Sequence, residues 1–309
     1  MTELPRTFTI TPDGAFSLIE SVRFGFGQRA AEPWAGVMRL AFCLDDLTGQ
    51  AGVELRQHDG VLTATVTGDG PLEAIRTQVA RVLSVDRDAR GFTAIGERDP
   101  VLARLQRAAP GLRPPLFYSP YEAAVWAVLS LRRPARQMVE VRRRLSEAHG
   151  RSFVLAGQQL AALPTPQQVL ALDSFPGIPT DRIPRLHGVA RAALDGLLAV
   201  DRLQALGPDE ARSSLQQIKG IGPFYSELIV VRAVGFVDVL PRNEPLLLEL
   251  IRRNYGLATT PDAATLDRIS ESWRPWRTWA AVLLRAATDR PAVAADREAT
   301  DRSRQDTAS

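Results

Sequence analysis

The stretch that most constrains this chain is Gly220-Ile221-Gly222-Pro223, set between two apolar periodic segments. Leu215 and Ile218 close the first segment; Leu228, Ile229 and Ala233 belong to the second. Glycine permits positive φ and a close backbone approach, so the pair predicts a tight turn. Pro223 suits a first helical position, where a missing N–H costs nothing. Residues 213–235 therefore read as helix, hairpin, helix. Amides at the start of the second helix make an anion site, and a nucleic-acid phosphate suits it. A glycine pair between helices also serves as a plain packing corner, so the turn alone does not decide.

Composition narrows the class. The chain has 309 residues, 45% hydrophobic and 24% charged, enough for a core and more than one domain. Formal charge is +3 and the sequence pI about 9.5. Of the 38 cations one is lysine, Lys219, and the rest are arginine. The planar, permanently charged guanidinium suits phosphate contact. This basicity is compatible with nucleic acid without establishing it. The single Cys43 excludes a disulfide framework and a four-cysteine iron–sulfur cluster. His58, His149 and His187 are scattered, with no zinc spacing, so no metal site is expected. No signal peptide or membrane-length apolar run appears, and a cytoplasmic monomer is expected.

The chain is expected to be mostly α, with an N-terminal α+β domain over residues 1–95. Val53-Glu-Leu-Arg and Val61 to Val66 alternate around the turn His58-Asp59-Gly60, as a hairpin does. Leu72, Ile75, Val79 and Val82 make a helical stripe. Residues 96–290 read as an all-helical body, and residues 291–309, rich in Ala, Asp, Arg and Ser, as a disordered tail. Trp273, Trp276 and Trp279 are spaced to cover one helical face and are expected in the core.

Three passages carry a resemblance: Ile218-Lys-Gly-Ile-Gly-Pro-Phe-Tyr-Ser-Glu227, Asp238-Val-Leu-Pro-Arg-Asn-Glu244 and Trp273-Arg-Pro-Trp-Arg-Thr-Trp279. Together they resemble the helix-hairpin-helix superfamily of base-excision DNA glycosylases, in its alkylpurine (3-methyladenine glycosylase II) branch, as a divergent member. The resemblance runs from the N-terminal strands to about residue 287. It implies the helix-hairpin-helix glycosylase fold, preceded by a small antiparallel sheet. It also implies hydrolysis of the N-glycosidic bond of an alkylated or otherwise damaged purine in double-stranded DNA.

Such an enzyme must extrude its target nucleotide from the duplex. That takes an anchor on phosphate, a wedge for the vacated stack, and a pocket with a carboxylate. The segment Lys219 to Tyr225 is the expected anchor, with Lys219, Gly220, Ile221, Gly222 and Tyr225 as candidate DNA-binding residues, and the resemblance assigns DNA binding to Gly220 and Gly222. It admits an alkali cation on the hairpin carbonyls as the one cofactor. The carboxylate position falls on Glu244, where the family carries Asp; Asp238 is the alternative acid. Asn243-Glu-Pro245 is also a natural helix start, with Asn as cap and the acid near the positive end. Where the family reads Leu-Gly-Gln-Gln after a Trp-Ala-Ile, this chain reads Trp126-Ala-Val-Leu-Ser130-Leu131-Arg132-Arg133; Leu131 or Arg132 is the candidate wedge, and a plain exposed helix end is the other reading. Phe224, Tyr121 and Trp126 are candidate pocket aromatics. Arg285 stands where some members carry a base-stacking Trp; it would repel a cationic base and could pair with Glu244 or bind phosphate. The Schiff-base lysine of bifunctional members falls on Phe224, so a lyase step is not expected. The competing class is a relative that binds lesions without cutting.

Overall fold

A computed structural model describes residues 6–25, 34–242 and 244–290. They divide into two compact units, each assembled from separated stretches. The first comprises residues 1–12, 21–87 and 115–236; the second comprises 13–20, 88–114 and 237–309. Compactness therefore does not follow the linear boundary at residue 95. The region 96–290 is shared between both units. The expected tail, 291–309, lies outside the described residues.

In the first unit, β1 (Arg6–Ile10), β2 (Met38–Cys43), β3 (Gln50–His58) and β4 (Val61–Gly68) form an antiparallel sheet in the order β1-β4-β3-β2. Asp59 (φ 48°) and Gly60 (φ 80°) make the β3–β4 turn, where the His58-Asp-Gly sequence placed it. Leu62, Ala64 and Val66 alternate inward, as a half-buried strand must. Helix Leu72–Val82 lays Ile75, Val79 and Val82 into the core.

The central helix of this unit, Pro120–Ser130, is buried on every side. It is capped by Ser119, whose hydroxyl accepts from the Glu122 amide. A helix apolar all round must be enclosed, and this one also encloses a carboxylate. Glu122 accepts from the Cys43 amide at 3.0 Å and from Arg142 at 2.8 Å, so the buried charge is paired and hydrogen-bonded.

The body expected to be all-helical contains a further hairpin. Strands β5 (Ser152–Leu155) and β6 (Gln158–Ala161) pair antiparallel, turning at Ala156 (φ 43°) and Gly157 (φ 78°). Phe153 lies so close to Gly52 that a Cβ there would stand 2.7 Å from its ring. Glycine in β3 is what lets this ring seat against the sheet.

The second unit is helical. Its helices include Pro100–Ala108, Pro245–Tyr255, Ala263–Glu271 and Arg277–Ala287, and a buried carboxylate, Asp99, ties several of its segments together. One Asp99 oxygen caps Pro100–Ala108 through the Val101 and Leu102 amides. The other accepts from Tyr255 at 2.6 Å, Ser272 at 3.0 Å and Trp273 at 3.1 Å. Burial, reinforced by Asp99, pushes the Tyr255 hydroxyl pKa far up, so it stays a donor. Trp273, Trp276 and Trp279 are buried as expected, but they do not share a helical face. Trp273 and Trp276 lie in the break between the last two helices, and only Trp279 is helical.

Candidate active site

The hairpin lies in the first unit. Helix Val200–Leu215, broken at Gly207 (φ 74°), leads into it. The Ile218 amide bonds back to the Leu215 carbonyl and the Ile221 amide to the Ile218 carbonyl, which winds the turn. Ile218 and Ile221 are buried and pin the turn to the core, so Ile221 offers a partner only its backbone. The two glycines are unlike. Gly220 has φ 105°, a conformation that L side chains rarely adopt. Gly222 is extended (φ −88°, ψ −175°), and a Cβ built on it meets nothing within 4 Å. Nothing inside the described chain calls for glycine at 222. The bare backbone there leaves room for an outside group to approach.

Gly222 is the N-cap of helix Pro223–Ile229, which continues as a π-helical turn through Val230–Val234 and ends at Gly235 (φ 88°). Lys219 is exposed on the turn. Phe224 is 54% exposed and meets Tyr225 edge-on at 5.2 Å, so it offers an open aromatic face. The Tyr225 hydroxyl is 3.0 Å from Ser130 Oγ, and Ser130 itself donates to the Trp126 carbonyl.

The candidate wedge therefore sits beside the hairpin. Pro120–Ser130 ends at Leu131, half-buried, and exposed Arg132 takes φ 51°. The end of this helix is held by a residue that sequence reasoning missed. Arg182 donates to the carbonyls of Val128 and Leu129, each at 2.7 Å, and to that of Leu131. These are last-turn carbonyls with no intrahelical partner, and a cation there also suits the helix dipole. Burial, with Arg133 and Arg185 nearby, lowers the Arg182 pKa below its ordinary value, and Asp181 opposes the shift. Arg185 was missed as well: its Cδ lies 3.6 Å from a Cβ built on Gly220. Among the described residues Arg132, Arg133, Arg136 and Lys219 have no carboxylate partner, which leaves these cations open to an external anion.

Two expected pocket residues are core. Tyr121 is 1% exposed and its hydroxyl is satisfied by the Pro164 carbonyl at 2.9 Å. Burial raises its pKa well above the ordinary value. Trp126 is likewise buried within Pro120–Ser130. Neither ring has a face to offer a base, because that helix is enclosed all round.

The carboxylate candidates belong to the second unit. Glu244 is itself the N-cap of Pro245–Tyr255, yet its side chain makes no capping bond. Asn243, expected as the cap, lies outside the described residues. The Glu244 carboxylate is ion-paired with the Arg285 guanidinium; the side chains are 20% and 35% exposed. Burial alone lowers the Arg285 pKa from its ordinary value. Asp238 is committed elsewhere. It accepts from Arg277 Nε at 2.7 Å, from Arg277 Nη2 at 3.1 Å and from Arg274 at 3.1 Å, and it faces the Arg277 amide at the start of the last helix. With both oxygens engaged by guanidinium groups, Asp238 is a helix-start brace and not a free acid. Among the described residues no cluster of His, Cys, Asp and Glu is arranged for a metal ion, and no helix is long and apolar enough to cross a membrane.

No family model matches the chain. It is 27% identical over 285 residues to a Mycobacterium tuberculosis protein named as a probable bifunctional transcriptional activator/DNA repair enzyme AlkA, across 90% of this chain. The aligned part covers 51% of that relative, so the chain spans about half its length. It is 24% identical over 221 residues to the Bacillus subtilis DNA-3-methyladenine glycosylase, covering 69% of this chain and 71% of that one. It is 29% identical over 183 residues to the Escherichia coli DNA-3-methyladenine glycosylase 2, covering 58% and 61%. Among solved structures, a 3-methyladenine DNA glycosylase from Archaeoglobus fulgidus shares the fold with a TM-score of 0.72 at 19% identity, covering 90% of this chain and 96% of that one. A Clostridium acetobutylicum 8-oxoguanine glycosylase/lyase bound to double-stranded DNA shares it with a TM-score of 0.64 at 16% identity, covering 88% and 91%.

Proposed function

We propose that this chain, which is a divergent member of the helix-hairpin-helix DNA glycosylase superfamily in its alkylpurine branch, is a monofunctional base-excision DNA glycosylase acting on damaged purines in duplex DNA. The observation that carries the reading is the hairpin: a glycine at 222 without internal need, beside exposed cations that lack carboxylate partners. Likeness along most of the chain to one protein named as a DNA repair enzyme and another named as a DNA-3-methyladenine glycosylase supports it.

In this reading the amides at Gly220 and Gly222, with Lys219 and Arg185, grip phosphate. Leu131 or Arg132 fills the gap left by the extruded nucleotide. Glu244 then acts on the sugar. As the C1′–N bond breaks, positive charge develops on the ring, and a fixed carboxylate stabilises it. The same carboxylate can accept a proton from the attacking water, whose oxygen bonds to C1′ while the base leaves with the electron pair and gains a proton. Hydrolysis of this kind needs only water and a carboxylate. Phe224 leaves no amine at the Schiff-base position, and Lys219 lies on the other side of the turn, so no lyase step is proposed. The chain is proposed to work as a monomer in the cytoplasm.

The deciding experiment is release of free base from damaged duplex by purified protein and by Glu244→Gln. Gln keeps the shape and loses the charge, so release should fall on the order of 100-fold or more while DNA affinity persists. An unaffected Glu244→Gln would remove Glu244 from the chemistry. A second reading, a lesion-binding relative that does not cut, has one observation in its favour. Arg285 already engages the Glu244 charge. Tight lesion binding without release on a broad panel of damaged bases would establish it.

A further inference from the structure

The Glu244–Arg285 pair bears on which base is accepted, and the following rests on Glu244 being the carboxylate that serves the sugar. A nucleotide whose C1′ lies against Glu244 has its base attached to that same carbon. Arg285 is ion-paired with Glu244, so a guanidinium borders the position proposed for the sugar and its attached base. The guanidinium is permanently charged, it is partly withdrawn from water, and 35% of its side chain remains open. Charges so close are poorly screened.

We propose that Arg285 is a specificity-determining residue that makes the site favour neutral damaged purines over purines carrying a positive charge from N3 or N7 alkylation. The two classes leave differently. A cationic alkylpurine departs as a neutral molecule, because the electron pair of the C1′–N bond cancels its charge. It gains nothing from a nearby cation and is repelled by it while bound. A neutral purine departs with the same electron pair as an anion, which takes its proton from water afterwards. A guanidinium beside the departing base stabilises that anion through charge and N–H donation as it forms. Pairing with Arg285 also removes much of the uncompensated negative charge with which Glu244 would attract a cationic base. The base in the names of the relatives, 3-methyladenine, belongs to the class that this site would disfavour.

The test uses the full chain and two duplexes of one sequence, bearing hypoxanthine as the neutral purine or 7-methylguanine as the cationic one. Single-turnover release should be at least tenfold faster from the hypoxanthine duplex. Arg285→Gln should shrink or invert that ratio, and Arg285→Lys should keep its direction, with thermal unfolding confirming that both variants fold. Faster release of 7-methylguanine by the unaltered protein, or a ratio untouched by Arg285→Gln, overturns the proposal. Should neither base be released, the glycosylase reading fails by itself, and specificity is read from binding. Duplexes with 2′-fluorinated, uncleavable versions of the two lesions should then differ at least fivefold in Kd, the neutral one binding tighter. Equal affinities, or tighter binding of the cationic lesion, overturn the proposal independently of catalysis.

Discussion

The Tyr225 hydroxyl and Ser130 Oγ lie 3.0 Å apart, joining the second hairpin helix to the end of the helix that carries Leu131 and Arg132. The proposed anchor and the proposed wedge are thereby tied together within one compact unit. Tyr225→Phe removes only this bond. A single partly buried hydrogen bond contributes about 1 kcal/mol, so unfolding should shift by about that much. Affinity for duplex containing an abasic site, where the wedge must insert, should fall more than affinity for intact duplex. Equal losses on both, measured by fluorescence anisotropy, would separate the wedge from the hairpin.

The two hairpin glycines should answer differently to alanine. Gly220 sits at φ 105°, so Gly220→Ala should cost about 1–3 kcal/mol of stability. Gly222→Ala meets no clash and no forbidden φ. The entropic gain of about 0.4–1 kcal/mol opposes alanine's poor fit at an N-cap, so stability should change by about 1 kcal/mol or less. Its added methyl nevertheless stands where phosphate is proposed to approach. Gly222→Ala should weaken binding to damaged and undamaged duplex alike, with the thermal midpoint nearly unchanged. Salt titration supplies the check: affinity of the unaltered protein should fall steeply as salt rises, as phosphate contacts demand.

How far the sequence could be read depended on the range of each interaction. The hairpin was legible because Gly220, Gly222 and Pro223 are local turn chemistry. So was the β3–β4 turn at Asp59-Gly60. The β5–β6 hairpin was missed although Phe153 and Leu155 alternate inward, because four-residue strands give little pattern to detect. The tryptophans were correctly expected in the core, but the assumed single helix is broken between Glu271 and Arg277. Arg182 gave no signal at all. Its partners are 51 to 54 residues away, and in a chain whose cations are nearly all arginine one more is inconspicuous. Arg285 was noticed only because a resemblance expected an aromatic there. Its contact with Glu244 had been one of two options left open, and the structure shows that one.

Asp238 and Glu244, six positions apart in sequence, should separate cleanly on mutation. Asp238→Asn weakens bonds to Arg274 and Arg277 in a partly exposed brace, so a stability loss of about 1–3 kcal/mol is expected. Base release per folded molecule should persist. Glu244→Gln should do the opposite, with little change in melting and loss of release. Thermal unfolding and single-turnover release, run on both variants, read the distinction directly. Loss of release in folded Asp238→Asn would move the catalytic assignment to Asp238.

The strongest effect on stability should come from Glu122, far from any proposed chemistry in role. Its side chain is 0% exposed, inside a helix that is itself enclosed, and it holds both the Cys43 amide and Arg142. Glu122→Gln keeps the size and can still accept from the Cys43 amide. It leaves the buried Arg142 guanidinium without a counter-charge, which typically costs about 3–5 kcal/mol. Replacing both members should be milder than replacing Glu122 alone. Glu122→Gln with Arg142→Met removes the stranded charge together with its partner, and Met can fill the space of the arginine stem. Denaturant unfolding of the two single variants and the double variant forms a cycle that measures the coupling. A Glu122→Gln single variant as stable as the unaltered chain would mean that water or another group solvates Arg142, and the helix would then not be sealed as described.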